Sequence, residues 1–227
     1  MSSPLAKDKK NFLDRMLISF HRNVSHGNRV ELLSKLLYKE MRFLKEKDIK
    51  ESLFFLDVGC GDMTIGNSIA EMDTDIHFKG IDIHQITDDL KNSEKWKNYS
   101  CFDGKTIPFA DNSFDVVLFS DVLHHDFDNI ERLLTEAKRV SKYIVIKDHF
   151  EYGFLSRKIL QLADIVGNYG YGISIPKKYM SKNSFLKLIS ACGLKEVRRM
   201  CPIHLYDHNL LVKTVFRPKY QFISILK

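Results

Sequence analysis

The feature that most constrains this chain is a series of short apolar runs that alternate with amphipathic helical segments. The apolar runs, each the length of a buried strand, cover residues 53–58, 76–81, 114–119 and 143–146. Two of the segments between them, residues 65–71 and 130–140, carry apolar side chains at helical spacing. Alternation of this kind predicts βαβ units, in which parallel strands are joined by right-handed crossovers.

The remaining segments complete the predicted architecture. Weaker strands are predicted at 99–102, 195–200 and 221–226, and helices at 12–20, 32–44, 154–166 and 184–191. Gly193 lies just past the last helix, where a C-terminal cap is expected. We therefore predict an α/β fold: a Rossmann-like, doubly wound, mostly parallel seven-stranded sheet with helices on both faces, an N-terminal helical extension and an insertion after strand five.

Composition limits the class of protein. With 227 residues and 44% hydrophobic content, the chain is long enough to bury one sizeable core. The net charge of +6 comes from interleaved basic and acidic residues, whereas nucleic-acid-binding proteins cluster their positive charge. No run approaches the ~20 apolar residues of a membrane span, residues 1–10 lack a signal peptide's apolar segment, and the four cysteines form no CxxC pair. We expect a cytoplasmic protein with no membrane span and no nucleic-acid partner.

The strongest local signal is the turn Leu56-Asp57-Val58-Gly59-Cys60-Gly61-Asp62, where a buried strand passes into a helix. Ligands of open parallel sheets bind beyond the carboxyl ends of the strands, and glycines let a ligand approach the main chain there. The dinucleotide fingerprint needs a third glycine where this chain has Thr64, and no Walker lysine follows. Because two carboxylates flank the turn, it suits a ligand with ammonium or sulfonium charge better than a pyrophosphate.

Two further carboxylates follow the next strands. Asp82 ends the second strand and can accept hydrogen bonds from both hydroxyls of a ribose. Asp103 ends the third strand and can accept one from the exocyclic amine of adenine. Taken singly, Asp82 could be a helix N-cap and Asp103 a turn residue before Gly104. Their joint occurrence at successive strand ends favours a nucleoside site.

These residues resemble the class I S-adenosylmethionine-dependent methyltransferases, which share the D-V-G-C-G turn. Residues 107–117 are similar to the family's "lPF-d-sFD-vv" stretch, and residues 120–125 match its "s-vLHH" pattern after strand four. The resemblance covers roughly 53–148 and implies S-adenosylmethionine as cofactor, with S-adenosylhomocysteine as product. It implies the cofactor-binding residues Asp57, Gly59 and Gly61 (methionine), Asp82 (ribose), Asp103 and Gly104 (adenine), and Ser120 and Asp121 (amine or methyl group), together with Ile83.

On this interpretation the single domain, 1–227, divides by role. Residues 1–50 form a helical extension or lid, 51–148 the cofactor-binding core, 149–183 a substrate-side insertion, and 184–227 a C-terminal helix with strands.

A hydroxyl acceptor needs a general base, and histidine suits neutral pH. The candidate catalytic residues are His124, His125 and His149, which follow strands four and five. His125 or His149 is the preferred base, with Asp126 or Asp148 as its orienting partner. The alternative is that one histidine of the LHH pattern packs against or caps the next helix.

A metal site is a second alternative at this edge. Asp121, His124, His125, Asp148 and His149 could converge on an ion that lowers the pKa of a hydroxyl. However, the Asp-Asn pair that magnesium-dependent methyltransferases carry after strand five is absent, since His149 follows Asp148. We therefore predict no metal.

The acceptor is the least constrained part of the prediction. The N/D-P-P-Y loop of enzymes that methylate planar amines is absent after strand four, which disfavours nucleic-acid substrates. The expected substrate-binding residues are His21, Arg22, Tyr169, Tyr171 and Tyr179, and the nearby cations Arg157, Lys158, Lys177 and Lys178 suit an anionic acceptor.

We therefore expect methyl transfer to a hydroxyl or other oxygen of an anionic small metabolite or sugar derivative. The alternatives are a non-catalytic S-adenosylmethionine-binding regulatory protein and a C-methyltransferase of a quinone- or lipid-type acceptor. An NAD-dependent oxidoreductase is disfavoured by Thr64, and the sequence predicts no oligomeric state.

Overall fold

The computed structural model describes residues 27–49, 51–167, 175–206 and 210–227. Four of the predicted substrate residues, His21, Arg22, Tyr169 and Tyr171, lie outside the described residues, as does the predicted helix at 12–20. Within the described ranges, none of the helices has both the length and the apolar character needed to span a bilayer.

Strands and helices alternate through the described chain. In order they are α1 (Gly27–Leu44), β1 (Leu53–Val58), α2 (Thr64–Met72), β2 (Ile76–Asp82), α3 (Asp88–Lys91), β3 (Tyr99–Cys101), β4 (Phe114–Ser120), α4 (Ile130–Val140), β5 (Ser141–His149), α5 (Phe154–Gly167), α6 (Lys182–Ala191), β6 (Glu196–Met200), α7 (Leu210–Val215) and β7 (Gln221–Leu226). Gly193 has a φ of 63° two residues beyond α6, in agreement with its predicted capping position.

The seven strands form one sheet in the order β3-β2-β1-β4-β5-β7-β6. The first five are parallel, and β7 pairs antiparallel with both β5 and β6. This confirms the predicted Rossmann-like, mostly parallel sheet. Strand β5 continues three residues past the predicted end at 146, because Lys147 and Asp148 are buried within the sheet although they are charged.

The sheet buries a core on each face. On one face Leu56 and Val58 of β1 pack with the apolar side of α4, which includes Leu133 and Leu134. On the other, Phe55 packs with α1. A fully buried leucine contributes about 1.5–3 kcal/mol, so these two layers fix where the strand ends lie.

Helix α2 lies unusually close to β2 because Gly66 faces the ring of Phe78. A Cβ added at Gly66 would stand 2.3 Å from the Phe78 ring. Gly66 thereby allows the close helix–strand packing that the third glycine provides in dinucleotide-binding proteins.

Candidate cofactor-binding and active site

The glycine turn between β1 and α2 is shaped by two left-handed glycines. Gly59 has a φ of 73° and Gly61 a φ of 52°. The backbone N–H groups of Gly59 and Cys60 donate to the carbonyl of Ile81 at 2.8 and 3.2 Å, which ties the turn to β2. A Cβ on Gly59 would lie 2.5 Å from Val122, whereas one on Gly61 would meet nothing within 4 Å. Gly59 is therefore needed for packing, and Gly61 leaves open space beside the turn.

Two carboxylates stand next to this turn, at the ends of neighbouring strands. Asp82 accepts hydrogen bonds from the N–H groups of Gly61 at 3.0 Å and His84 at 3.2 Å. It is not a helix N-cap, because α3 begins six residues later. Asp57 is buried, and burial together with the nearby Asp82 raises its pKa to about 7. Hydroxyl donors and a cationic ligand would both stabilise this pair, which fits the ribose and the charged end of the predicted cofactor.

The predicted adenine residues form a turn after β3. Asp103 Oδ1 accepts hydrogen bonds from the N–H groups of Lys105 and Thr106, both at 2.7 Å, and these bonds lower its pKa. The turn interpretation of Asp103 therefore holds, and its contact with adenine stays a prediction. Gly104, with a φ of 74°, faces Ile83, whose side chain is 59% exposed. An exposed apolar side chain therefore lies beside Gly104, where the predicted adenine would be.

Asp121, in the loop after β4, is held between two cations that sequence analysis did not predict. Lys147 Nζ contacts Asp121 Oδ1, and Arg29 Nη2 from α1 lies 2.5 Å from Oδ2. Burial alone would raise the pKa of Asp121, but Lys147, His149 and Arg29 hold that pKa far below its usual range. Burial lowers the pKa of Lys147 to about 8. In the sequence, the position of Lys147 directly after the apolar run 143–146 was the signal that could have indicated a buried partner such as Asp121.

His124 lies between two carboxylates from different elements. It is 1% exposed, and its Nδ1 lies 2.6 Å from Oδ1 of Asp148 at the end of β5. Its Nε2 lies 3.6 Å from Oδ2 of Asp164 on α5, and the Tyr179 hydroxyl donates to that same oxygen. Burial lowers the pKa of His124, but the two carboxylates outweigh it and raise the pKa to about 9. The buried Tyr179 is thus part of this cluster.

His149 has a different environment on the other side of Asp148. Its Nδ1 lies 3.4 Å from Asp121 Oδ1 and 3.5 Å from Asp148 Oδ1. Burial and the nearby Lys147 lower its pKa, so the ring is neutral at physiological pH. His149 thereby connects the Asp121 cluster with the His124 cluster.

The other predicted partners are engaged elsewhere. The ring of His125 packs against that of His124 in a tilted arrangement, with centroids 4.1 Å apart and an interplanar angle of 43°. Asp126, the alternative orienting residue, accepts from Asn129 Nδ2 at 2.9 and 3.0 Å. Of the two predicted orienting carboxylates, Asp148 lies against the ring of His124.

Three of the cations predicted to favour an anionic acceptor also have partners. Arg157 pairs with Glu151 at 2.7 Å, Lys158 donates to Gln161 at 3.1 Å, and Lys178 lies over the ring of Phe127. These contacts give the anionic acceptor no support.

Buried polar atoms without a partner among the described residues concentrate at this edge of the sheet. Six of the nine such atoms among the described residues lie here: Arg29 Nε, Ser120 Oγ, His124 Nε2, Asp148 Oδ2, His149 Nδ1 and Gln221 Oε1. Native proteins satisfy nearly all such atoms, so this concentration marks a place where ordered water or a ligand supplies the missing partners.

Comparison with known proteins agrees with the geometry. Residues 56–143 match the methyltransferase domain family. No curated protein matches the chain. Among solved structures, a SAM-dependent methyltransferase from Aquifex aeolicus is 19% identical, with 92% of this chain and 97% of that one covered and a TM-score of 0.55. Residues 56–143 therefore match a methyltransferase domain, and the described chain shares its fold with solved S-adenosylmethionine-dependent methyltransferases.

Two other solved structures share the fold with different chemistry. The CurJ carbon methyltransferase is 13% identical, with 95% of this chain and 59% of that one covered and a TM-score of 0.63. The [4+2]-cyclase SpnF is 15% identical, with 84% and 80% covered and a TM-score of 0.56. At these identities the likeness concerns the fold alone, so the reaction must be argued from the site.

Proposed function

We propose that this protein transfers a methyl group from S-adenosylmethionine to an oxygen atom of a small-molecule acceptor, with His149 as the general base. The observation that carries the proposal is the position of His149 Nδ1 between the carboxylates of Asp121 and Asp148, at 3.4 and 3.5 Å. This places one histidine beside the loop after β4, where the family resemblance puts the reacting end of the cofactor.

The cofactor would be held by the residues at the ends of the first three strands. Asp57 and the Gly59–Gly61 turn face its methionine part, Asp82 its ribose, and Ile83 with Gly104 its base. When bound, S-adenosylmethionine supplies an electrophilic methyl group on a sulfonium. The acidic surroundings of the turn favour that positive charge.

His149 would take the proton of the acceptor hydroxyl. Because its Nδ1 faces two carboxylates, the proton of the neutral ring is held at Nδ1, and Nε2 keeps a lone pair. The acceptor O–H proton passes to Nε2 as the oxygen becomes nucleophilic. A positioned base of this kind contributes about 10²–10⁴-fold to rate.

The acceptor pocket would lie between the β4 and β5 ends and α5. Asp164 and Tyr179 are polar residues on that side, and the Tyr179 hydroxyl donates a hydrogen bond to the Asp164 carboxylate. The contributions of His21, Arg22, Tyr169 and Tyr171 stay predictions, as does the anionic character of the acceptor, which only the charge of +6 favours.

The experiment combines cofactor binding with a turnover screen. Calorimetry should show one site for S-adenosylmethionine and one for S-adenosylhomocysteine. Incubation with 13C-methyl-labelled cofactor and a panel of phenols, sugars and hydroxy acids should then yield a labelled methyl ether or ester. His149→Gln should lower turnover by at least about 10²-fold with cofactor affinity unchanged, while the control His77→Gln, an exposed residue of β2, should keep full activity.

Three outcomes would contradict the proposal. Failure of folded protein to bind the cofactor would exclude the methyltransferase function altogether. Cofactor binding with no turnover across the panel would favour the regulatory alternative. A labelled methyl group on carbon, visible in the NMR spectrum of the product, would favour the carbon-methylation alternative.

A further inference from the structure

We propose that His124, His125 and Asp164 form a binding site for one divalent transition-metal ion. Each residue offers one ligand atom, and the three atoms lie within 4.8 Å of one another. The two histidines come from the loop after β4, and Asp164 comes from α5, so the site would join the cofactor-binding core to the insertion.

The distance between His124 Nε2 and Asp164 Oδ2 is the first observation that points to a metal. At 3.6 Å the pair is too long for a hydrogen bond. Two ligands on one tetrahedral ion, with bonds of about 2.0–2.2 Å, lie about 3.4 Å apart. The spacing is therefore that of two ligands with an ion between them.

The second observation is the unpartnered nitrogen itself. His124 is 1% exposed, and its Nε2 has no hydrogen-bond partner among the described residues. A buried imidazole nitrogen without a hydrogen bond is costly, because it has lost water and the charge of Asp164 at 3.6 Å replaces that hydrogen bond only in part. An ion at this position would satisfy the nitrogen.

The surroundings of the two buried ligands match the outer shell of a metal site. Asp148 Oδ1, 2.6 Å from His124 Nδ1, orients the ring so that Nε2 is directed towards Asp164, where a bound ion would take the place of the Nε2 proton. The Tyr179 hydroxyl donates to the carboxylate of Asp164 and orients it. Metal-bound histidines almost always have such a carboxylate partner, and bound carboxylates are themselves hydrogen-bonded.

A second cluster, His124, Asp148 and His149, also lies within 4.8 Å. There, however, the contact from His124 Nδ1 to Asp148 Oδ1 is 2.6 Å, which is a hydrogen bond and too short for two ligands of one ion. Asp148 is therefore a positioning residue, and the ion belongs on the Nε2 side of His124.

Two imidazole nitrogens and one carboxylate oxygen select Zn²⁺, Co²⁺ or Fe²⁺ over Mg²⁺ and Ca²⁺, which prefer oxygen ligands. Three protein ligands also leave a coordination position open. If the proposed function holds, that position would receive the acceptor hydroxyl and lower its pKa, which favours proton transfer to His149. Metal binding itself does not depend on that function.

The test is metal binding by protein purified without a polyhistidine tag and stripped with a chelator. Calorimetry with Zn²⁺ should show one site, Co²⁺ should give visible absorption bands of a low-coordinate ion, and Mg²⁺ should bind far more weakly. His125→Gln and Asp164→Asn should each weaken Zn²⁺ binding by at least about tenfold. His77→Gln, which removes an exposed histidine far from the cluster, should leave binding unchanged.

S-adenosylmethionine binding is measured on the same samples. No stoichiometric Zn²⁺ site in wild-type protein would overturn the metal proposal, and so would equal affinity in wild-type, His125→Gln and Asp164→Asn proteins. If the cofactor still binds in that case, the methyltransferase proposal stands. If folded wild-type protein does not bind S-adenosylmethionine, the proposed function is overturned, and the metal-binding result is interpreted independently of it.

Discussion

Asp57 and Asp82 stand at the ends of adjacent parallel strands, and the charge of Asp82 adds to burial in raising the pKa of Asp57 to about 7. An unfolded chain would hold the Asp57 pKa near its ordinary value of 3.8. At pH values between 3.8 and 7, Asp57 is protonated in the native state and ionised in the unfolded state. The free energy of unfolding therefore falls as pH rises through this window, and it levels off above pH 7.

Asp57→Asn should remove this pH dependence. Asparagine at this position does not titrate, so the variant should not lose stability in this window. The stability of the variant relative to wild type should therefore be about 2 kcal/mol greater at pH 7.5 than at pH 5. Urea unfolding at the two pH values measures this difference. The exposed control Asp88→Asn should differ from wild type by the same free energy of unfolding at both pH values, and the same constant difference for Asp57→Asn would contradict the prediction.

Asp82→Ala should weaken S-adenosylmethionine binding by at least about tenfold, since a lost hydrogen bond to a charged group costs about 1.5–3 kcal/mol. The variant also releases the Gly61 N–H that Asp82 now holds. Calorimetry is the measurement. The matched control is Asp88→Ala, which removes a surface carboxylate that pairs with Lys91. Equal affinities of the two variants for S-adenosylmethionine would mean that the ribose binds elsewhere.

Lys147→Met should destabilise the fold by about 3 kcal/mol, because it leaves the Asp121 carboxylate with one cation instead of two in a buried setting. The double variant Asp121→Asn/Lys147→Met should recover part of that loss, since the buried carboxylate is removed and an amide oxygen at position 121 can still accept a hydrogen bond from Arg29. Asparagine also tolerates the left-handed φ of 58° at position 121. Urea unfolding of the three proteins tests the coupling, and a double variant less stable than Lys147→Met would refute it.

Gly66→Ala should destabilise the protein by about 1–3 kcal/mol, because the new methyl group would overlap the Phe78 ring. Adding Phe78→Leu should relieve the overlap and restore part of the stability. Gly61→Ala is a useful comparison, since its Cβ meets no neighbour and only its φ of 52° is unfavourable. Thermal unfolding ranks these variants; an unchanged midpoint for Gly66→Ala would show that α2 shifts without cost.

The sheet and the cofactor side of the site could be predicted because both depend on patterns local to the chain. Apolar runs mark the strands, and parallel strands bring their carboxyl ends to one edge, so the sequence alone predicts that Asp57 and Asp82 are neighbours. Asp103 was predicted at the correct strand end, but its role in the turn with Lys105 and Thr106 depends on backbone geometry that the sequence leaves open.

The catalytic side could be predicted only in part. His124, His125 and His149 were expected at this edge, yet nothing in the sequence says that Asp148 faces His124 or that Asp164 reaches the same ring from α5. Asp148 is 24 positions and Asp164 about 40 positions from His124 in the sequence, so both contacts depend on how the segment after β5 packs against the sheet. Arg29 was missed because surface helices are rich in arginines, and only the fold shows which one turns towards Asp121.

The position of β7 has a consequence for how the protein is made. Strand β6 (Glu196–Met200) pairs only with β7 within the described sheet, and β7 (Gln221–Leu226) also covers the free side of β5. While the ribosome is still synthesising residues 221–226, β6 has no partner, and the edge of β5 that carries Asp148 and His149 is uncovered. The cofactor-binding half can form early from neighbouring segments, whereas the histidine half matures only after the last strand has left the exit tunnel.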